Sequence, residues 1–384
     1  MWFDFMHCDD RLASVLIDTY DGSMTEIRDT GDVSKMPVGT VANGRFDADR
    51  FRSWWSRRAV SSNRPDVGRL LDYVGVNDTR QLMIFCLGMN LEDGYWLRPP
   101  GSGLTWEEIN LFDNGFTMDA GRFMAGVCDD IFSIMSPDLA TGGSMGKMWI
   151  PLGRERHLAK FPGPRGFEAV NEVLSTTIAA ALDIPHAEYV LDWVKGRPIS
   201  VCKSFLGNGR ELVHAEDVML CSETKPGESL LDRYERICAE HGLDVTGFMD
   251  RLTALDYMIT NHDRHTGNLG VIRDMETLEW IAPAPAYDHG ASFMGERWER
   301  PASDYLVGDT GRYWEERLEG VRDLSWIDHG RLEGAIDEAG DFLSGFEPLR
   351  RAGWDAVAAE MMGKRSEILE VLAEKIRCPV SKFS

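Results

Sequence analysis

LDYMITNHDRHTGNLGVIRDMETLEWIAPAPAYDHGASF, residues 255–293, is the stretch on which the reading of this chain turns. An amphipathic helix ending near Asn261 delivers Asp263 and, five positions on, Asn268; a predicted hairpin then brings the chain to Asp288-His289-Gly290. A carboxylate, an amide and a second carboxylate before glycine supply a base and two hard oxygen ligands, an arrangement suited to phosphoryl transfer. Mg²⁺ fits such a set because it takes one or two protein oxygens and leaves its other positions to water and phosphate. Asp and Asn also favour ordinary turns. The rest of the chain must therefore supply a glycine loop, a phosphate-binding lysine and a helical glutamate.

The 384 residues suffice for one large domain or two to three ordinary ones. Hydrophobic residues at 43% and charged residues at 27% are ordinary for a soluble, well-packed protein. A net charge of −22 argues against a protein that coats nucleic acid, which needs clustered Lys and Arg. The seven cysteines are scattered, odd in number and without a CxxC pair, which predicts reduced thiols and no zinc site. The N-terminus MWFDFMHCDDRL has two Asp where a signal peptide needs a basic region, and no apolar run is long enough to cross a bilayer. A cytoplasmic protein is expected, with no membrane and no direct nucleic-acid contact.

Taken in order, residues 1–135 read as a separate unit of mixed structure. FDFMHCDDRLASVLIDTYDG suggests short strands with a turn at Asp21-Gly22. Asp47 is placed to cap a helix whose Phe51, Trp54 and Trp55 share one side. Two helical pieces follow in VGRLLDYVGVNDTRQLMIFCLGM, and Thr105-x-x-Glu108 is a capping box. Trp54, Trp55, Trp96 and Trp106 are expected in the core, because they fall at amphipathic spacing.

From residue 136 the character changes. SPDLATGGSMGKMWIPLGRERHLAKF reads as a glycine-rich turn, a strand, a link through Gly153 and a second strand ending at Lys160. Gly142, Gly143 and Gly146 would let backbone N–H groups approach phosphate oxygens that a Cβ would obstruct. Lys160 either snorkels from an edge strand or holds phosphate. GFEAVNEVLSTTIAAALDI is then an amphipathic helix; Glu172 is placed to pair with Lys160, and Glu168 competes for the role. AEYVLDWVKGRPISVCKSFL is a hairpin about Lys195-Gly196, and GNGRELVHAEDVM is expected to be a polar hinge crossing. The remainder is mainly helical, including ESLLDRYERICAEHG ending at Gly242 and helices within 325–343 and 356–376.

The ordered series GGSMGK (142–147), LAKF (158–161), NEVL (171–174), LVHAED (212–217), NHDRHTGN (261–268) and AYDHG (286–290) resembles the HipA-like kinases, bacterial Ser/Thr kinases of toxin–antitoxin pairs. It is similar also to their CtkA-type relatives and, more distantly, to phosphoinositide kinases, which share a D-R-H-x-x-N loop. The resemblance covers residues 136–345. It implies an α+β, bilobal protein-kinase-like fold: an N-terminal accessory domain (1–135), a small sheet-containing N-lobe (136–207) and a helical C-lobe (208–384). It implies ATP and Mg²⁺ as cofactors and transfer of the γ-phosphoryl group to a Ser or Thr hydroxyl of a protein substrate. Asp263 would be the catalytic base, with Lys160, Glu172 and His265 beside it, and Asn268 and Asp288 would hold Mg²⁺. Gly142, Gly143, Ser144, Gly146, Lys147, Lys160 and Phe205 would bind the nucleotide. The loop that includes Thr141 and Ser144 would carry regulatory autophosphorylation on Ser.

Gly146 stands where the family has Pro before the lysine, and residues 1–135 carry none of the matched motifs. No DNA-reading helix-turn-helix is evident, so an antitoxin-type partner would be a separate chain. Two other readings stay open: a kinase for a lipid or small-molecule hydroxyl, and a nucleotide-binding regulator without turnover.

Overall fold

The computed structural model describes residues 1–64, 66–163, 166–293, 318, 320–351 and 353–377. Its first sheet is antiparallel, in the order β3-β2-β1-β6, with β1 Trp2–His7, β2 Asp10–Ile17, β3 Met24–Arg28 and β6 Tyr95–Arg98. Side chains alternate as a half-buried sheet requires. Phe3 and Phe5 point inward, while Asp4 on the outer face accepts 2.9 Å hydrogen bonds from Arg11 and Arg98 on the flanking strands. A two-residue ladder joins β4 (Val41–Ala42) to β5 (Arg45–Phe46).

Helix α1 (Ala48–Arg57) begins where the Asp47 carboxylate accepts from the N–H groups of Asp49 and Arg50. It buries Phe51, Trp54 and Trp55 against the sheet, and α2 (Val67–Val74) and α3 (Thr79–Phe85) complete this cluster. Trp96 and Trp106 are buried too, so all four tryptophans are core residues as expected. Short helices α4 (Trp106–Ile109) and α5 (Asp119–Met124) lead into the second half.

The second sheet runs β7-β8-β10-β9, all antiparallel: β7 Gly146–Leu152, β8 Glu155–Phe161, β9 Tyr189–Val194 and β10 Arg197–Lys203. Helix α6 (Phe167–Ala181) lies against β9 and β10. Gly166 starts it at φ +74°, and a Cβ there would come within 2.2 Å of the Pro198 ring, so only glycine lets the helix enter this close to β10. The expected hinge crossing is instead a strand, β11 (Arg210–His214), followed by α7 (Ala215–Val218). Leu212 and Val213 explain the difference: their buried side chains and the ladder to β12 (Gly270–Asp274) outweigh the polar flanks. With β13 (Trp280–Pro283) these form a third sheet, β11-β12-β13.

Helices α8 (Leu230–Glu240), α9 (Thr246–Met258), His329–Ser344 and Trp354–Arg377 bury one large apolar cluster that α6 also enters through Val170, Leu174 and Ile178. A further cluster joins Met6, Trp96 and Trp106 to Trp149, Leu206 and Met275. Apolar cores thus run across residue positions 135/136 and 207/208. Beside them Glu211, 1% exposed, bonds to the His7 Nε2 (3.2 Å) and to the Arg273 Nε (2.5 Å), and Arg273 reaches the Tyr95 hydroxyl at 2.8 Å. This buried polar group ties the first sheet to the third. Six cysteines are free thiols, and Cys378 lies outside the described residues. Among the described residues no helix is long and apolar enough to cross a membrane.

Candidate active site

Strands β7 and β8 set Lys147 directly opposite Lys160. Facing residues in an antiparallel pair share one side of the sheet, where like charges repel. The repulsion is offset at Lys160, whose Nζ bonds to the Glu172 carboxylate on α6 and lies 2.8 Å from the Asp288 Oδ1. The Tyr189 ring sits beneath the same ammonium, 4.9 Å from its centroid. Burial works against the Lys160 charge, but Asp288 and Glu172 overcome it and hold its pKa well above the lysine range. Burial would likewise neutralise Asp288; Lys160 and Lys147 overcome that and keep it ionised far below the usual carboxylate range. Lys147 itself has its pKa pushed down, chiefly by burial.

The segment after Asp288 is locked from behind. The His289 N–H donates to the Glu172 Oε2 at 2.8 Å, and the Asn171 amide donates to the carbonyls of Gly290 and Ser292 at 2.8 and 2.7 Å. Asp288 adopts φ +60°, an uncommon conformation for a residue with a Cβ, held here by bonds on both sides. Burial, Arg264 and Lys160 push the His289 pKa well below its ordinary value, so the ring is neutral.

The loop after α9 is organised by Arg264. Its guanidinium grips both oxygens of Asp256 on α9 at 3.0 Å and donates to the carbonyls of Asn268 (2.7 Å) and Tyr287 (2.9 Å). One residue thereby fixes the helix, the loop and the approach to Asp288. The Asn268 amide nitrogen donates to the Asp263 carbonyl at 3.1 Å, leaving its oxygen as the available ligand atom. The Asp263 carboxylate is exposed and takes no hydrogen bond or ion pair among the described residues.

Asp263, Asn268, Asp288, Lys147, Ser144 and Phe205 all line one cleft of about 870 Å³. Gly142, Gly143 and His265 line it as well. The His265 ring, however, turns into its own loop, where Nδ1 accepts the Gly267 N–H at 3.0 Å. Lys160 and Glu172 lie just beneath the surface, and Glu172, not Glu168, touches the lysine. Gly146 is apart from the rest: it sits within β7 opposite Phe161 and does not line the cleft. Phe205 packs on Tyr287 with ring centroids 5.7 Å apart.

Several contributors were given no role by the sequence reading. Tyr189, Asn171 and Arg264 carry the cluster just described. His214 joins the loop to the first half of the chain: its Nδ1 lies 3.1 Å from the Gly267 carbonyl and its Nε2 3.5 Å from the Glu92 Oε2. Glu92, Ser61 and Arg57 show that residues before 136 build one wall of the cleft. Arg264 had a signal in its place between Asp263 and His265, and Asn171 and His214 had theirs in the NEVL and LVHAED motifs; Tyr189, Glu92, Ser61 and Arg57 had none.

The donors suit Mg²⁺. An ionised carboxylate and an amide oxygen lining one cleft are hard ligands, and among the described residues no group of three or more His, Cys, Asp or Glu gathers to hold a softer metal.

The HipA-like C-terminal domain profile matches residues 139–339, just over half of the 384 residues, and the chain belongs to that kinase family. Among solved structures it is similar to HipA of Shewanella oneidensis MR-1, a toxin–antitoxin protein solved with HipB and its operator DNA. That match has 13% identity and a TM-score of 0.58, covering 98% of this chain and 99% of that one. It is similar also to the Helicobacter pylori proinflammatory kinase CtkA, at 19% identity and a TM-score of 0.45, over 60% of this chain and 94% of that one. A search of curated proteins gives no match. The likeness to the Shewanella protein shows a shared fold, and its span takes in residues 1–135, which the motifs left unmatched.

Proposed function

We propose that this chain is an ATP- and Mg²⁺-dependent kinase that phosphorylates a Ser or Thr hydroxyl on a protein, with sheet β7–β10 and the helical half as its two lobes. The observation that carries this reading is Lys160, buried between Glu172 and Asp288 with Lys147 opposite it, at the edge of a cleft that also holds Asp263 and Asn268. Cations on one side and hard oxygen donors on the other are what triphosphate and Mg²⁺ require.

Asp263 accepts the proton of the attacking hydroxyl as its oxygen bonds to the γ-phosphorus. The bond from that phosphorus to the bridging oxygen breaks, and ADP leaves with the electron pair. Lys160 and Lys147 bind phosphate oxygens, and Phe205 with Tyr287 offers an aromatic surface for adenine. Asn268 and Asp288 hold the metal, which supplies charge neutralisation on the phosphates.

Ser144 is the loop hydroxyl open to phosphorylation. Thr141 is buried, its Oγ1 donating to the Pro137 carbonyl at 2.7 Å and accepting from the Trp149 indole at 3.0 Å. The net charge of −22 disfavours anionic lipid headgroups as substrate. The Shewanella relative's complex with HipB supports a separate antitoxin-type partner. Incubation with γ-labelled ATP and Mg²⁺, alone and with cell lysate, followed by phosphosite mapping, tests the assignment. Label on Ser144 or on lysate Ser and Thr is expected; nucleotide binding without any transfer would favour a non-catalytic regulator.

A further inference from the structure

Arg64 lies outside the family match, on the turn between α1 and α2, yet it reaches the glycine-rich loop. Its Nη2 donates to the carbonyls of Thr141 (2.5 Å), Gly142 (2.8 Å) and Gly143 (3.2 Å), and its Nε to Gly143 at 3.3 Å. The residue is 2% exposed, and no carboxylate pairs with it among the described residues. In a chain with 63 acidic residues, a buried arginine whose hydrogen bonds among the described residues all go to carbonyls is unusual. Its Nη1 is also buried without a partner among the described residues.

The peptide geometry says what this contact does. Across a trans peptide the C=O of one residue and the N–H of the next point in opposite directions. Carbonyls 141, 142 and 143 face Arg64, so the N–H groups of Gly142, Gly143 and Ser144 face away from it. Those three residues line the cleft and Arg64 does not. None of the three N–H groups has a hydrogen-bond partner among the described residues. Gly143 adopts φ +88°, and a Cβ there would lie 2.6 Å from the Lys147 Nζ, so the lysine closes over the same arc. Successive unpaired N–H groups beside an ammonium make a concavity for an anion.

We propose that Arg64 is the positioning residue of this phosphate loop: by gathering three carbonyls behind the loop it turns three N–H groups toward the triphosphate of the nucleotide. The inference rests on the kinase reading and extends it, because it makes the first 64 residues a working part of the nucleotide site. Burial lowers the guanidinium pKa to about 10, still charged at neutral pH, with only Asp138 pulling the other way. Its charge polarises the carbonyls it binds and so strengthens the N–H donors on the opposite edge.

Calorimetric titration of the full chain with ATP and with adenosine separates this role from a merely structural one. Arg64→Met is expected to weaken ATP binding roughly ten- to hundredfold, the worth of one or two charge-assisted hydrogen bonds. Adenosine affinity should stay within about twofold of wild type, since the base and ribose do not meet the loop. Arg64→Lys, which keeps the charge but not the fork, should fall between the two for ATP and match wild type for adenosine. If Arg64→Met fails to fold, Arg64→Lys alone decides. Wild-type ATP affinity in the decisive variant, or equal losses of ATP and adenosine, would overturn the proposal. Wild type that binds adenosine and ATP equally tightly would instead overturn the phosphate-site reading beneath it.

Discussion

Lys160 lies 2.8 Å from the Asp288 Oδ1, so the lysine that would hold phosphate is ion-paired with the carboxylate that would hold metal. Without nucleotide each offsets the other's charge. With Mg²⁺ and triphosphate present, cation and carboxylate can each exchange that contact for a ligand of opposite charge. The pair thereby keeps both groups ionised and in place.

Asp288→Asn should therefore weaken nucleotide binding only in its metal-dependent part. Affinity for ATP with Mg²⁺ should fall roughly ten- to hundredfold, while affinity in EDTA should be unchanged or slightly higher. Titration with and without the metal reads both numbers. An equal loss in the two conditions would remove Asp288 from the metal site.

Lys160→Met leaves Glu172 buried at 1% exposure without its cation. Removing one partner of a buried pair is expected to cost about 3 kcal/mol of stability. Lys160→Met combined with Glu172→Gln should recover much of that stability yet remain inactive. Thermal denaturation and a transfer assay on the three proteins distinguish a packing role from a functional one.

Arg264 predicts a loss of rate that exceeds any loss of binding. Arg264→Lys keeps a charge beside Asp256 but cannot also bridge the carbonyls of Asn268 and Tyr287. The Asp263 loop should then lose its set position, and kcat should drop about a hundredfold. KM for ATP should change much less, because Lys160 and Lys147 remain. Steady-state kinetics checks the split.

Glu211 gives a stability prediction with a defined pH window. Burial would raise its pKa, but Arg273 and His7 overcome this and hold it at about 2, below the unfolded value near 4.5. A depressed carboxylate contributes stability that is fully present above pH 4.5 and is lost as pH falls toward 2. Glu211→Gln should cost about 3 kcal/mol at pH 7, and the gap to wild type should narrow steadily below pH 4.5. Urea denaturation across that range measures it; a gap that stays constant to pH 3 would contradict the assignment.

How far the sequence reached depended on how local each signal was. Lys160 on a strand, Glu172 on the next helix and Asp263-x-x-x-x-Asn268 before Asp288 are short-range patterns, and the structure brings these residues to one cleft and its floor. The β11 segment was misjudged because its polar ends resemble a linker; only the long-range ladder to β12 makes it a strand. Arg64 could not be found this way. Its neighbours Ser61, Ser62 and Asn63 carry no motif, and its meaning arises from contact with a loop some 77 residues further on. Glu92 with His214 is legible only in three dimensions for the same reason.

The most direct measurement is single-turnover transfer from γ-labelled ATP by wild type and Asp263→Asn, each with Mg²⁺ and each with its ATP affinity measured alongside. Among the described residues the Asp263 carboxylate has no partner, so the substitution should leave fold and ATP affinity intact. Loss of a positioned base should slow transfer by about 10²- to 10⁴-fold. Transfer at the wild-type rate by a folded, ATP-binding Asp263→Asn protein would contradict the assignment of this cleft as a kinase active site built around Asp263.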